Sequence, residues 1–328
     1  KTKLAAGKQV VGGSVSIPDP DTYCAMANAG FDFLWIEMQH SPMSFQDVAH
    51  MIMACKGAPA MPFIRVSDAS EGDIQKAVDM GAAGIIIPMV EDIQKVRNAI
   101  KFAKYPPMGK RSQGGGQYGA LWGADYRAIA NDNVMIVAMI ESPAGVQIAE
   151  EIAATPGVDV VFVASTDLSS FTGLKQGHPE YEALVTKVHD ATLKAGKKVA
   201  GPLAWKATRQ GYSFFQAPSE TVLIKAGAKL ELSGAVSPAN RTGVVPTERL
   251  REVADSESVR QNQASVVTIW PAAGQTLRTS MATTLWKGHL TFGLVSIPVK
   301  LYRAARAEKV SFRQLQAGTG KRVRQARW

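Results

Sequence analysis

The chain has 328 residues, 46% of them hydrophobic, enough for one large or two ordinary domains with a real core. No run of about 18 apolar residues occurs, so no membrane span is expected. The net charge of +9 suggests a nucleic-acid partner until it is mapped: residues 281–328 hold ten Lys or Arg and one acid, Glu308, whereas residues 1–280 hold 27 of each sign.

The first residues, Lys1-Thr-Lys-Leu-Ala-Ala-Gly-Lys8, contain no apolar segment of the signal-peptide kind, and the missing initiator Met suggests that the natural start lies upstream. Only Cys24 and Cys55 are present, each in a helix-like segment and neither with metal-type spacing. Reduced thiols in a cytoplasmic protein are the expectation.

From Val10 to Leu232 short β-branched runs alternate with longer periodic segments, as repeated βα units do. Strands are predicted over 10–16, 33–38, 61–66, 84–89, 135–141, 158–164, 198–203 and 212–217. Helices are predicted over 21–28, 45–55, 71–80, 92–103, 145–153 and 181–195. Ala29-Gly30, Met80-Gly81 and Ala195-Gly196 supply left-handed caps between a helix and the next strand. Eight units in this length fit a (β/α)8 TIM barrel. An open doubly wound sheet is the alternative, but no Gly-rich dinucleotide turn follows the first strand. Between Leu203 and Tyr212 too few residues remain for a crossover helix, so the seventh helix is predicted to be a single turn or absent.

After Leu232 the periodicity fails. Residues 233–280 are rich in Ser, Pro, Ala, Thr and Gln and read as a disordered linker. Residues 281–328 return to alternating apolar positions, as in Phe292-Gly-Leu-Val-Ser-Ile-Pro298, and end in a basic stretch.

Three strands end in polar groups. Trp35-Ile-Glu-Met-Gln-His40 closes the second, Glu141-Ser142-Pro143 the fifth, and Ser165-Thr166-Asp167 the sixth. In a parallel barrel the carboxyl ends of the strands carry the chemistry. Glu141 and Asp167 are candidate ligands for a hard divalent cation, or alternatively caps of the following helices. His40 is a candidate general base, proton relay or ordinary loop histidine, with Glu37 beside it to fix its tautomer. Arg65, at the mouth of an apolar strand, needs an anion, either a protein carboxylate or a developing enolate oxygen. Lys110-Arg-Ser-Gln-Gly-Gly-Gly116 is a basic loop able to clamp a distal anionic group, to remain solvated or to contact another subunit.

Together these segments resemble the HpcH/HpaI family of metal-dependent pyruvate aldolases. The resemblance is carried by Ala29-Gly-Phe-Asp-Phe-Leu-Trp-Ile-Glu-Met-Gln-His40, Phe63-Ile-Arg65, Gly84-Ile-Ile-Ile-Pro88, Tyr105-Pro-Pro-Met-Gly-Lys-Arg111, Ile140-Glu141, Ser165-Thr-Asp167 and Phe214-Phe-Gln-Ala-Pro-Ser-Glu-Thr221. It spans about residues 8–232.

It implies a TIM barrel, a Mg2+, Mn2+ or Co2+ held by Glu141 and Asp167, catalytic His40, Arg65 and Glu37, and a homo-oligomer. It also implies substrate binding by Arg65 and by backbone N–H groups of Ala164, Ser165 and Thr166. The implied reaction is reversible cleavage of a 4-hydroxy-2-oxo acid to pyruvate and an aldehyde through a metal-bound enolate. Oxaloacetate decarboxylation with use of the enolate for carbon–carbon bond formation is the alternative on the same site. The sequence departs from the pattern at Met139, where a Gln is usual, at Ala164-Ser165-Thr166, and at Glu37, which replaces an Asp. Residues 281 to about 325 resemble the first strands of bacterial Ku, which implies a truncated fragment with at most weak DNA affinity.

Overall fold

The computed structural model describes residues 1–234, 289–292 and 295–298. The chain divides into two units, residues 1–237 and 238–328. In the first, eight parallel strands close on themselves in chain order: β1 (Val10–Val15), β2 (Phe33–Glu37), β3 (Met61–Arg65), β4 (Gly84–Ile87), β5 (Met135–Ile140), β6 (Val160–Val163), β7 (Lys198–Pro202) and β8 (Tyr212–Ser219), with β8 paired to β1. This is the expected (β/α)8 barrel.

Helix α1 (Thr2–Ala5) precedes the barrel, and α2 (Pro20–Ala27), α3 (Phe45–Ala54), α4 (Glu71–Asp79) and α5 (Ile93–Ala103) follow the first four strands. Two further helices, α6 (Tyr118–Trp122) and α7 (Tyr126–Asn133), lead into β5. Then come α8 (Pro143–Gln147) and α9 (Ala149–Ala154), α10 (Ser165–Thr172) and α11 (Pro179–Lys194), and α12 (Glu220–Leu232) after β8. The side chains of Asp19, Ser44, Ser70, Asp92 and Ser142 cap α2, α3, α4, α5 and α8, so polar residues at the strand ends start the helices. Gly30, Gly81 and Gly196 take positive φ where the helices turn back, as their spacing predicted.

The seventh connection is one 3-10 turn, Leu203–Trp205, in place of a helix. Buried Trp205 fills part of the space, with its ring edge-on to Tyr212 and under the Arg209 guanidinium.

Alternation along the strands separates two apolar layers. Leu34, Ile36, Ile64, Ile85, Ile136, Ala138 and Val161 face the helices. Phe33, Trp35, Phe63, Met135, Val137, Met139, Phe162 and Phe214 fill the barrel itself. Phe33 stacks on Phe214 at 4.3 Å and lies 4.8 Å from Phe63, an aromatic floor beneath the site. Glycine makes room for it: a Cβ on Gly12 would lie 2.0 Å from the Phe33 ring, and one on Gly84 2.2 Å from Phe63.

Cys24 on α2 and Cys55 at the end of α3 form a disulfide, which corrects the expectation of two reduced thiols. Their separation of 31 residues gives no sign of this; the side-by-side packing of α2 and α3 brings the Cα atoms to 5.4 Å.

In the second unit β9 (His289–Phe292) and β10 (Val295–Pro298) pair antiparallel. Apart from that pair, the expected linker beyond residue 234 and the Ku-like stretch lie outside the described residues. No helix among the described residues is long and apolar enough to cross a membrane.

By loop-closure entropy the disulfide is worth at most about 3–4 kcal/mol. Denaturant unfolding with and without dithiothreitol should show a loss of that order, matched by Cys24→Ser under oxidising conditions. Identical midpoints in all cases would show that the crosslink contributes nothing.

Candidate active site

The inward-facing series of β2, β3 and β5 are apolar low in the barrel and charged at its carboxyl end. Phe33 and Trp35 lead to Glu37, Phe63 leads to Arg65, and Met135, Val137 and Met139 lead to Glu141, one residue past β5. The period of two therefore aims all three charged side chains along one axis.

They form one buried ion-pair chain. The Arg65 guanidinium donates through NH1 to Glu37 Oε2 at 3.2 Å and through NH2 to Glu141 Oε1 at 3.1 Å. Arg65 is 7% exposed and Glu141 1%. The third guanidinium nitrogen, Nε of Arg65, is buried without a partner among the described residues. Of the two partners foreseen for Arg65, the protein carboxylate is present, and the Nε–H is left without an acceptor among the described residues.

Glu37 organises the loop that follows it. Its Oε1 accepts from the backbone N–H groups of Gln39 at 2.9 Å and His40 at 3.1 Å, and its Oε2 also accepts from Trp35 Nε1 at 3.2 Å. Ser41 Oγ closes the turn by donating to the Glu37 carbonyl. Glu37 thus holds the backbone of His40, not its ring, contrary to the expectation of a carboxylate fixing the tautomer. The imidazole is exposed and has no partner among the described residues.

Glu141 is held from a second side by the backbone N–H of Met89, which donates to Oε2. Met89 has φ of 48°, a left-handed conformation that non-glycine residues seldom adopt and that turns its N–H into the site. Burial raises the Glu141 pKa above the usual carboxylate value, and the negative charge of Asp167 adds to the rise. Arg65, the Met89 N–H and Lys95 act in the opposite direction.

Asp167 lies half-buried in the first turn of α10. Neither carboxylate is a helix cap: Ser142 caps α8, and α10 has no side-chain cap. Among the described residues Asp167 makes no hydrogen bond or ion pair, yet its charge reaches Glu141. Two carboxylates that repel each other in a buried site, each with free lone pairs, suit a hard cation that takes further oxygen ligands from water and substrate. The described residues contain no cluster of three or more His, Cys, Asp or Glu set to hold an ion, so the candidate protein ligands are these two carboxylates.

Ser165 and Thr166 are the first two residues of α10, where N–H groups have no acceptor within the helix. Ala164 does not join them, because its N–H is committed to the Ile140 carbonyl at 3.0 Å. Of the roles open to the basic loop from Lys110 to Gly116, clamping a substrate anion finds no support in its contacts. Arg111 pairs with Asp79 at the C-terminal end of α4, lies over Tyr105, Tyr118 and Tyr126, and Ser112 bonds Gln75. That ties the loop toward the end of the barrel remote from the strands' carboxyl termini.

Two contributors were missed by sequence reasoning. Met89 acts through a backbone conformation that no side-chain pattern announces. Gln39 presents a buried Oε1 with no partner among the described residues, and its only signal is a place between Glu37 and His40.

A family model for HpcH/HpaI aldolase/citrate lyase matches residues 15–212. The chain is 32% identical over 232 residues to a 2-dehydro-3,6-dideoxy-6-sulfogluconate aldolase of Pseudomonas putida, covering 65% of this chain and 89% of the relative. It is 38% identical over 184 residues to a hydroxypyruvate/pyruvate aldolase of Chromohalobacter salexigens, covering 55% and 72%. A solved HpcH/HpaI aldolase/citrate lyase family protein from Burkholderia cenocepacia superposes with a TM-score of 0.64 at 28% identity, covering 70% and 95%. The chain belongs to the HpcH/HpaI aldolase/citrate lyase family and is a lyase of the pyruvate-aldolase type.

Proposed function

We propose that the barrel is a metal-dependent aldolase that cleaves a 4-hydroxy-2-oxo acid to pyruvate and an aldehyde. The observation that carries this reading is the buried Arg65, fixed by Glu37 and Glu141 with its Nε–H unpartnered, together with the unpaired carboxylate of Asp167, whose charge reaches Glu141. Relatives named as aldolases for hydroxypyruvate/pyruvate and for 2-keto-3-deoxy-L-rhamnonate support the substrate class.

Glu141 and Asp167 would hold a Mg2+, Mn2+ or Co2+ ion. When bound, such a cation supplies Lewis-acid polarisation of a 2-oxo carboxylate. Arg65 faces the keto oxygen and stabilises the negative charge that grows on it as the C3–C4 bond breaks. The free N–H groups of Ser165 and Thr166 receive the substrate carboxylate at a helix start. His40 takes the proton of the C4 hydroxyl on its imidazole, the electron pair of the C3–C4 bond passes into the enolate, and the aldehyde leaves. Protonation of the enolate at C3 then gives pyruvate. Glu37 positions His40 through its backbone and Arg65 through its charge.

Assembly into a homo-oligomer belongs to the same reading. It is supported by α12, on which Val222, Ile224, Leu230 and Leu232 are exposed. Binding of DNA by the basic residues beyond 281 has no support among the described residues.

The full chain, stripped with EDTA, should release pyruvate from a panel of 4-hydroxy-2-oxo acids only after Mg2+, Mn2+ or Co2+ is restored. Glu141→Gln and Asp167→Asn should abolish that restoration. Unchanged release in either variant would sink the site, and oxaloacetate decarboxylation without any aldol cleavage would favour the alternative reaction. Arg65→Lys keeps the charge but loses the planar fork, and kcat should fall by about 10²–10³. Arg65→Ala should in addition cost about 3–5 kcal/mol of stability, because the buried Glu141 and the partly buried Glu37 lose their partner. An Arg65→Lys variant with normal kcat would remove Arg65 from the reaction.

A further inference from the structure

The mouth of the barrel holds a cation that the proposed cleavage does not use. Lys95 is the third residue of α5, where a side chain leans back toward the helix start and so toward the catalytic end. A positive charge there opposes the helix dipole and needs a counter-charge. Asp68, three residues beyond Arg65 in the β3–α4 loop, provides it with Nζ to Oδ1 at 2.9 Å. The two partners are unequally placed: the Lys95 side chain is 18% exposed, and that of Asp68 is 62% exposed.

The segment leading into Lys95 is fastened to the site at two points. The Met89 N–H donates to Glu141, and Ser142 Oγ donates to Glu91 Oε1 at 2.6 Å. The Lys95 charge accordingly reaches Glu141. Across residues 66–70 and 88–95 Lys95 is the single basic residue, and the acids Asp68, Glu91 and Asp92 are all exposed. An ion pair with one solvent-facing member is worth about 0–1 kcal/mol. Asp68 is therefore a weak competitor, and an anion that arrives already fixed at its other end displaces it at little cost.

We propose that Lys95 is a specificity-determining residue of the aldolase site, and that a terminal oxyanion on the aldehyde half of the substrate displaces Asp68 from it. Asp68 serves as the resident anion, keeping Lys95 paired when the substrate tail is neutral or absent. This inference rests on the aldolase reading; it adds the charge of the leaving aldehyde to it.

The test uses the metal-loaded full chain and two pairs of substrates. One pair is 4-hydroxy-2-oxoglutarate against 4-hydroxy-2-oxopentanoate, which replaces the distal carboxylate by a methyl group. The other is the same pair lengthened by two methylenes. In the length that fits, wild type should favour the carboxylate end in kcat/KM. Lys95→Met should lower that preference roughly ten- to a hundredfold, as expected for a hydrogen bond to a charged group. Asp68→Asn, which leaves Lys95 in place, should raise it.

Opposite signs in the two variants are the signature, because a merely structural ion pair would give losses of the same sign and equal size on both members of a pair. Losses of that kind, or no preference at either length, would overturn the role of Lys95. Exchange of the pyruvate methyl protons with deuterium is run alongside, since it needs no aldehyde. Exchange without charge preference defeats this inference alone, whereas absent exchange defeats the aldolase reading beneath it.

Discussion

Everything at the carboxyl end of this barrel is arranged around one buried guanidinium. Arg65 bridges Glu37 on β2 and Glu141 after β5, and each contact lies within 3.2 Å. Buried charges persist only when paired and hydrogen-bonded, so each carboxylate is committed in more than one direction. Glu37 spends its other oxygen on the loop that carries His40, and Glu141 its other oxygen on Met89. Remove the arginine and the buried Glu141, the partly buried Glu37 and Asp167 are left to repel one another. The net charge of that group is negative, which is the condition a divalent cation answers.

The scaffold makes this arrangement affordable in a mechanical sense. Inside the barrel the aromatic floor of Phe33, Phe63 and Phe214 closes the interior beneath the site, and Gly12 and Gly84 permit its close packing. Above it, the same strands that supply the floor supply the charges. The low surrounding polarity strengthens the Arg65 contacts and is also what raises the Glu141 pKa.

Much of this was legible in the sequence, for reasons that can be stated. The strands could be placed because buried parallel strands are short, β-branched runs, and the βα units repeat at a regular spacing. Glu37, Arg65 and Glu141 could be singled out because each interrupts an apolar strand at its end. The missing seventh helix followed from a residue count alone. What was not legible depends on tertiary geometry or on weak patterns. Helices α6 and α7 lie in a stretch broken by Gly and polar residues, and α10 begins at Ser165 with no capping side chain to announce it. The Cys24–Cys55 bond depends on how two helices pack. The contact of Glu37 with the His40 backbone, and the left-handed turn at Met89, are backbone choices made by the closed barrel.

The central claim is that the carboxylates around Arg65 constitute a cation site, and it can be tested without any substrate. Mn2+ would be titrated into the EDTA-treated full chain and followed by electron paramagnetic resonance of the free ion, in wild type and in Glu141→Gln and Asp167→Asn. The expected result is one saturable site per barrel in wild type, weakened or lost in each variant while the fold is retained by circular dichroism. Equal Mn2+ binding in all three proteins, or none in wild type, would contradict the claim.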